Sequence, residues 1–291
     1  MVLENIFHCQ QESSYDFRLY DRNKPISTIK HTNEYPSGSS LNTSINDTLD
    51  PFAIEITNSV DWDQFTNLVP KDALRLGEKV ENDLLDKFNI NDRIQIVVSE
   101  ICDPGRFWIY KDDGLLDDMM NSMQPFYREH KPYYLIPEIL FEVGLYCVVH
   151  LNEFQRGLIV DLLPNIGGHV KVYFIDYGTM VILPKEKIWF LTREFSVLPA
   201  QAVKAKLANI KPIEQIWTME SSQRFREFVD SKHVFAKITG SEQNTLSMYI
   251  ADNAKPLKFV NDVLVEEKHA NYLNKEASSS GRTEKIEHYL N

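Results

Sequence analysis

Cysteine is scarce: Cys9, Cys102 and Cys147 are the three in 291 residues. Their number is odd and their spacing wide, which excludes a disulfide framework and matches no zinc-ligand pattern. They read as reduced thiols of a cytosolic protein. Long apolar runs are missing too, so no stretch is suited to spanning a bilayer and no membrane partner is expected. The first residues, Met1-Val2-Leu3-Glu4-Asn5, lack the basic region and apolar core of a secretory signal. Positive charge is in deficit: 31 Lys and Arg against 42 Asp and Glu give a net charge of −11. Nucleic-acid affinity comes largely from neutralising phosphates, and no Lys/Arg cluster stands out, so direct nucleic-acid binding is not expected. An acidic body suits a basic, arginine-rich partner, or serves solubility alone. The eight histidines are scattered, none at ligand spacing with Cys, Asp or Glu. The carboxylates Asp103, Asp112 and Asp113, with Arg106, fall on turns and exposed ends without a second cluster. Neither a metal site, a cofactor nor catalysis is expected from such an arrangement.

What the chain does have is a strand, a tight turn and a second strand between Val170 and Pro184. Val170, Val172 and Phe174 share one face of the first strand, and Tyr173 and Ile175 share the other. Apolar residues on both faces require burial on both sides, as in a small closed barrel. Asp176-Tyr177-Gly178-Thr179 supplies the turn, with Gly178 free to take a positive φ. Met180 to Leu183 is the return strand, and Pro184 ends it. Phe174 and Tyr177 flank the strand end, where two rings can wall a pocket.

Taken in order, residues 1 to about 50 are rich in Ser, Asn, Thr and Asp and read as mostly disordered, with Ile6-Phe7 and Tyr15-Asp16-Phe17 as islands that either dock or are merely tail. Ala53 to Val69 is more apolar, with Trp62, Phe65 and Leu68 at helical spacing, which points to a short helix packed on the domain behind it. Leu74, Val80, Leu84 and Leu85 add helical contacts in a charged stretch. Ile94 to Cys102 and Arg106 to Lys111 read as a hairpin around Asp103-Pro104-Gly105. Leu116, Met119, Met120, Met123 and Tyr127 form one helical stripe that Pro125 is expected to kink or end. Methionines on such a stripe are core filler. Lys131 to Pro137 reads as an extended linker. Behind the central strands, Ala202 to Ile210 reads as a strand. Met219 to Val229 is an amphipathic helix, Val234 to Ile238 and Thr245 to Ile250 a hairpin, and Val260 to Val265 a short closing helix. Ala277 to Gly281 begins a flexible tail.

Phe174-Ile175-Asp176-Tyr177-Gly178, preceded by β-branched alternation, resembles the core of the Tudor domain. Gly144 to Val149 followed by Phe154-Gln155-Arg156-Gly157 is similar to that family's first two strands. Leu198-Pro199-Ala200-Gln201-Ala202 is similar to the segment that follows its barrel. Strands before Gly144 and after Gln201 must pair with each other across this insertion. The whole resembles the extended Tudor domain, a Tudor SH3-like barrel inserted into a staphylococcal-nuclease-like OB fold. The implied fold class is mainly β with α. The implied organisation is an arm at 1–88, largely disordered with short helices; an extended Tudor domain at 89–270 (barrel about 144–192, nuclease-like parts about 89–143 and 193–270); and a tail at 271–291.

The resemblance implies a cage of aromatic walls that stacks on dimethylated arginine by cation–π attraction. Phe174 and Tyr177 occupy two wall positions. Gln155 stands where the strand-two ring would be, and Thr179 where the family has an asparagine. The first-strand ring falls at Val149, His150 or Leu151, of which only His150 offers a π face. Arg156 and Asp176 resemble the pair that braces strands two and three. The family implies a non-enzymatic adaptor in the germline cytoplasm, in perinuclear granules that process transposon-silencing small RNAs. Its expected partners carry Gly-Arg-rich or methylarginine tails, Piwi-class Argonautes among them, or are other germ-granule proteins. With a cage of two walls, a methylarginine-independent scaffold docking a folded partner stands as the alternative.

Overall fold

The computed structural model describes residues 51–52, 60–230, 232–252 and 258–274. The expectations for residues 1–50 and for the tail beyond residue 274 lie outside these.

Two β-barrels form, one inserted in the other. The outer barrel starts with β1 (Arg93–Asp103) and β2 (Arg106–Lys111), leaves through α1 (Leu115–His130), and resumes after the insertion with β8 (Val203–Leu207). Then come the short β9 (Ile210–Lys211), α2 (Met219–Val229), β10 (His233–Glu242), β11 (Thr245–Asp252), β12 (Lys258–Phe259), α3 (Val260–Glu266) and β13 (Asn271–Tyr272). The strand order β10-β1-β2-β8-β11, with β11 pairing back to β10, closes five strands into a ring. The insertion is stitched across: β2 pairs antiparallel with β8, Phe107 opposite Ala205, and β1 with β10, Ile96 opposite Val234. The hairpin between β10 and β11 turns on Gln243 and Asn244, both at positive φ (47° and 57°), as a two-residue loop with the right twist requires. Ile96, Ile109, Phe225, Val229 and Met248 fill this barrel.

The inserted barrel comprises β3 (Tyr146–His150), β4 (Phe154–Leu163), β5 (His169–Phe174), β6 (Met180–Pro184) and β7 (Ile188–Phe190), in the order β6-β5-β4-β3-β7. Both faces of β5 are buried, as its double apolar pattern demands: Val170, Val172 and Phe174 on one, Tyr173 on the other. Gly157 on β4 is there because β5 comes too close for a side chain. A Cβ at that position would lie 2.5 Å from Val172 Cγ1 and 3.5 Å from Cys147 Sγ.

Two expectations need correction. Of the two outcomes expected of Pro125, a kink or an end, the end does not occur: α1 runs on to His130 with Pro125 inside it. Met123 and Tyr127, on either side of the proline, are both fully buried, and their packing outweighs the missing N–H bond. Residues 60–88 are not part of a loose arm. Val69, Ala73, Leu74 and Val80 belong to the core of the inserted barrel, and the segment bonds to it through Leu74 N to Leu191 O (2.8 Å), Arg193 N to Asp72 O (2.7 Å) and Ala200 N to Glu81 O (2.7 Å). Trp62–Leu68 and Asp83–Lys87 are 3-10 turns rather than longer helices. Among the described residues no helix is long and apolar enough to cross a membrane.

Tyr127 ties α1 to the barrel. Its hydroxyl donates to Phe190 O (2.8 Å) and accepts from Thr192 N (3.1 Å), in a site buried enough to push the phenol pKa well up. Tyr127→Phe strands a buried carbonyl and a buried N–H together. We expect a loss of about 1–3 kcal/mol in urea unfolding. A loss within error of zero would mean that neither bond matters.

Candidate functional site

The site is built outward from a buried ion pair. Arg156 on β4 points away from the inserted barrel's interior, opposite to its neighbours Gln155 and Gly157. Its guanidinium and the Asp176 carboxylate at the end of β5 are both 0% exposed. Arg156 Nε donates to Asp176 Oδ2 (2.9 Å) and Nη2 to Oδ1 (2.5 Å). The remaining donors take three carbonyls of the connection toward β8: Phe195 (2.9 Å) and Leu198 (2.5 Å) from Nη1, and Pro199 (3.0 Å) from Nη2. All five donors of the fork are thus used. Asp176 also accepts from Gln201 N at 3.2 Å. The pair braces the strands and fixes the connecting segment on which the outer barrel resumes.

Asp176 leads into the turn. Gly178 has φ +80°, and both Tyr177 N (3.2 Å) and Gly178 N (2.9 Å) donate to Phe174 O. This turn lands on the outer barrel. Ser99 on β1 donates its hydroxyl to Tyr177 O at 2.8 Å, Gly178 lies against the Trp108 indole of β2, and Thr179 Oγ1 donates to Glu100 Oε2 at 2.9 Å. The Tyr177 ring meets Tyr110 of β2 edge-on, with centroids 5.9 Å apart and planes at 89°. The mouth is therefore a seam between the two barrels, walled by Tyr177 and Thr179 from one and by Tyr110, Trp108 and Glu100 from the other.

The seam is negatively charged. Burial, and then Asp176, Tyr110, Glu153 and Asp117, push the Tyr177 phenol well above its ordinary range. Burial, Asp117 and Asp112 push Tyr110 in the same direction. Half-buried rings with carboxylates around them offer a π face and a field that both favour a cation.

The predicted wall positions separate into two faces. Gly157 lies opposite Phe174, and Val149 opposite Gln155, so alternation puts Val149, Gln155, Gly157 and Phe174 on one face. Phe174 is only 3% exposed, so its ring is largely covered by its neighbours. Gln155 shares the face but brings no ring. Thr179 is present at the seam with its hydroxyl already donated. His150 is opposite Phe154 and hence on the other face. Its ring stacks on Phe154 (4.3 Å, 21°) and meets Trp189 at 6.2 Å, so it is not a wall of this mouth. A one-residue displacement along a strand reverses the face, and His150 lies on the face away from Phe174. Tyr110 and Trp108 were not singled out. Their signal was present: on β2 both alternate with the buried Phe107 and Ile109, so large rings occupy positions where a half-buried strand normally carries polar residues. Among the described residues no group of three or more His, Cys, Asp and Glu is placed to hold a metal ion.

Residues 88–209 match the Tudor domain family model. Mouse Tudor domain-containing protein 1 is 28% identical over 189 residues, 62% of this chain and 16% of the relative. Human Tudor domain-containing protein 5 is 28% identical over 201 residues, 66% of this chain and 20% of the relative. The chain thus spans a small part of the curated relatives it matches. Among solved structures, the extended Tudor domain TD3 of mouse TDRD1, in complex with a MILI peptide containing dimethylarginine, superposes with a TM-score of 0.56 at 26% identity, covering 64% of this chain and 96% of that one. The extended Tudor domain of Drosophila melanogaster Papi gives a TM-score of 0.57 at 23% identity and shares the fold.

Proposed function

We propose, from the premise that this chain carries an extended Tudor domain, that it is a non-enzymatic binding module for arginine-rich segments of partner proteins, taken up at the seam between its two barrels. The observation that carries this reading is the apposition of Tyr177 and Tyr110 among Glu100, Asp112, Asp117 and Glu153. A guanidinium is planar, permanently charged and weakly hydrated, and it suits an aromatic face inside a negative field. The dimethylarginine peptide bound by TD3 of mouse TDRD1 supports the same ligand class. By the same likeness the partners are Piwi-class proteins with Gly-Arg-rich tails. The setting is cytoplasmic germ granules, perinuclear ones included, where small RNAs silence transposons.

The second reading is a scaffold that docks a folded partner without methylarginine. The covered ring of Phe174, the absence of rings at Val149 and Gln155, and the Thr179 hydroxyl held by Glu100 favour it. A paired titration separates the two. A Gly-Arg-rich peptide, unmodified and symmetrically dimethylated, is added to the protein and followed by calorimetry. Preference for the dimethylated form supports the methylarginine module, and no binding of either form supports the scaffold.

Rebuilding the missing parts is a sharper test. Gln155→Tyr places a ring on the Phe174 face, and Thr179→Asn supplies an amide at the seam. A wall contributes about 0.5–2 kcal/mol and a charge-linked hydrogen bond about 1.5–3 kcal/mol. The double variant is expected to bind the dimethylated peptide at least about tenfold more tightly, and Phe174→Ala is expected to remove the gain. A folded double variant with unchanged affinity would make Phe174 a core residue and leave the scaffold in front.

A further inference from the structure

We propose that the face carrying His150 is a second site, independent of the arginine-binding seam, that recognises a phosphoserine- or phosphothreonine-bearing segment of a partner protein. Arg128 and Lys131 lie at the end of α1; Lys131 Nζ is 5.9 Å from the Trp189 ring, whose centroid is 6.2 Å from that of His150, and Lys187 precedes Ile188, the register partner of Val149 next to His150. Burial, and then the positive charges of Lys131, Lys187 and Arg128, hold this imidazole below the ordinary histidine range. Among the described residues none of Arg128, Lys131 and Lys187 forms an ion pair, whereas Lys185 pairs with Glu138 and Arg193 with Glu78. Three cations without an ion pair among the described residues thus gather near one ring, in a chain of net charge −11. A group carrying about −1.5 to −2 charges and three acceptor oxygens is what such a gathering takes up most favourably.

The floor and edge of the patch favour a peptide. His150 lies on Phe154, and Trp189 closes the floor at 7% exposure with Lys131 Nζ 5.9 Å from its ring centroid. Leu135, paired with Trp189 in an isolated bridge, is 53% exposed, and Tyr133 is 64% exposed. An apolar shoulder thus adjoins the cationic socket, fitting a phosphorylated residue with an apolar neighbour. A nucleic-acid strand needs a charged track. Here the positive region is confined to one imidazole's surroundings, and screening at physiological salt, over about 8 Å, leaves the rest of an acidic protein to repel further phosphates.

The test uses the full chain at physiological salt and fluorescence anisotropy. One probe is a degenerate peptide pool fixed only in a central phosphoserine with leucine two residues away. The others are the same pool with serine and a twelve-nucleotide oligouridylate. The phosphorylated pool is expected to bind at least about tenfold more tightly than the serine pool, and Lys131→Glu with Lys187→Glu to abolish that difference without moving the unfolding midpoint. Phosphopeptide binding should also shift the His150 ring resonances, which binding at the seam leaves in place. Should the double variant misfold, Lys131→Gln with Lys187→Gln is expected to lower affinity for the phosphorylated pool at least fivefold. Equal binding of the two pools, phosphopeptide binding that survives charge reversal, or oligouridylate bound more tightly than the phosphopeptides would overturn the proposal.

Discussion

Asp176→Ala is expected to cost about 3–5 kcal/mol of folding stability. The reason is what it leaves behind. The Arg156 guanidinium is 0% exposed, and without the carboxylate its Nε and one Nη2 donor face no acceptor while its charge stays buried. A domain of ordinary stability holds about 5–15 kcal/mol in all, so the variant should unfold at a much lower urea concentration than the parent. Asp176→Asn keeps the shape and one acceptor and should fall between them. The effect should also travel. Three Arg156 bonds hold the carbonyls of Phe195, Leu198 and Pro199, and Asp176 holds Gln201 N, so loosening the pair frees the connection that returns the chain to β8. Amide exchange should therefore speed up from 195 to 202 before it does in the distal hairpin between β10 and β11. A stability loss under about 1 kcal/mol would show that the pair is replaceable and the brace unimportant.

Arg156 and Asp176 are legible because the short segments that carry them resemble a known family. The strands around them are legible from local pattern. β5 shows apolar residues on both faces, its turn shows Asp-Tyr-Gly, and Gln243-Asn244 marks the distal hairpin. What was not legible depends on contacts between distant parts of the chain. Tyr110 and Tyr177 are 67 residues apart and meet only because one barrel docks on the other. Residues 60–88 bury Ala73, Leu74 and Val80 at spacings that fit neither helix nor strand, so periodicity could not separate this packed strap from a loose arm. For His150 the limit is parity: the resemblance gives the wall position as Val149, His150 or Leu151, and neighbouring residues on a strand face opposite ways. Pro125 does not end α1, because Met123 and Tyr127 on either side of it are buried.

The docking of the two barrels gives the last prediction. Gly178→Ala is expected to destabilise by about 2–5 kcal/mol, the sum of two separable effects. Its φ of +80° costs an L-residue about 1–2 kcal/mol. The new methyl group would also overlap the Trp108 indole, lying 2.7 Å from Trp108 Cβ with the ring closer still. Overpacking of this kind costs about 1–3 kcal/mol. A double-mutant cycle with Trp108→Ala tells the two apart. Removing the indole relieves the overlap and leaves the backbone strain, so the double variant should be more stable than additivity predicts by about 1–3 kcal/mol. Purely additive losses would mean that Gly178 is required for its φ alone and that the indole moves aside freely. Coupling would have a functional counterpart. Trp108 and Tyr110 stand two residues apart on β2, and the turn that presses on one carries the ring that meets the other. Pushing the indole away should open the Tyr110–Tyr177 edge contact and weaken arginine-peptide binding in Gly178→Ala beyond what its unfolded fraction explains. Recovery of that binding by Trp108→Ala would separate a displaced seam from a lost indole contact with the ligand, because a ligand-contacting Trp108 cannot be restored by deletion.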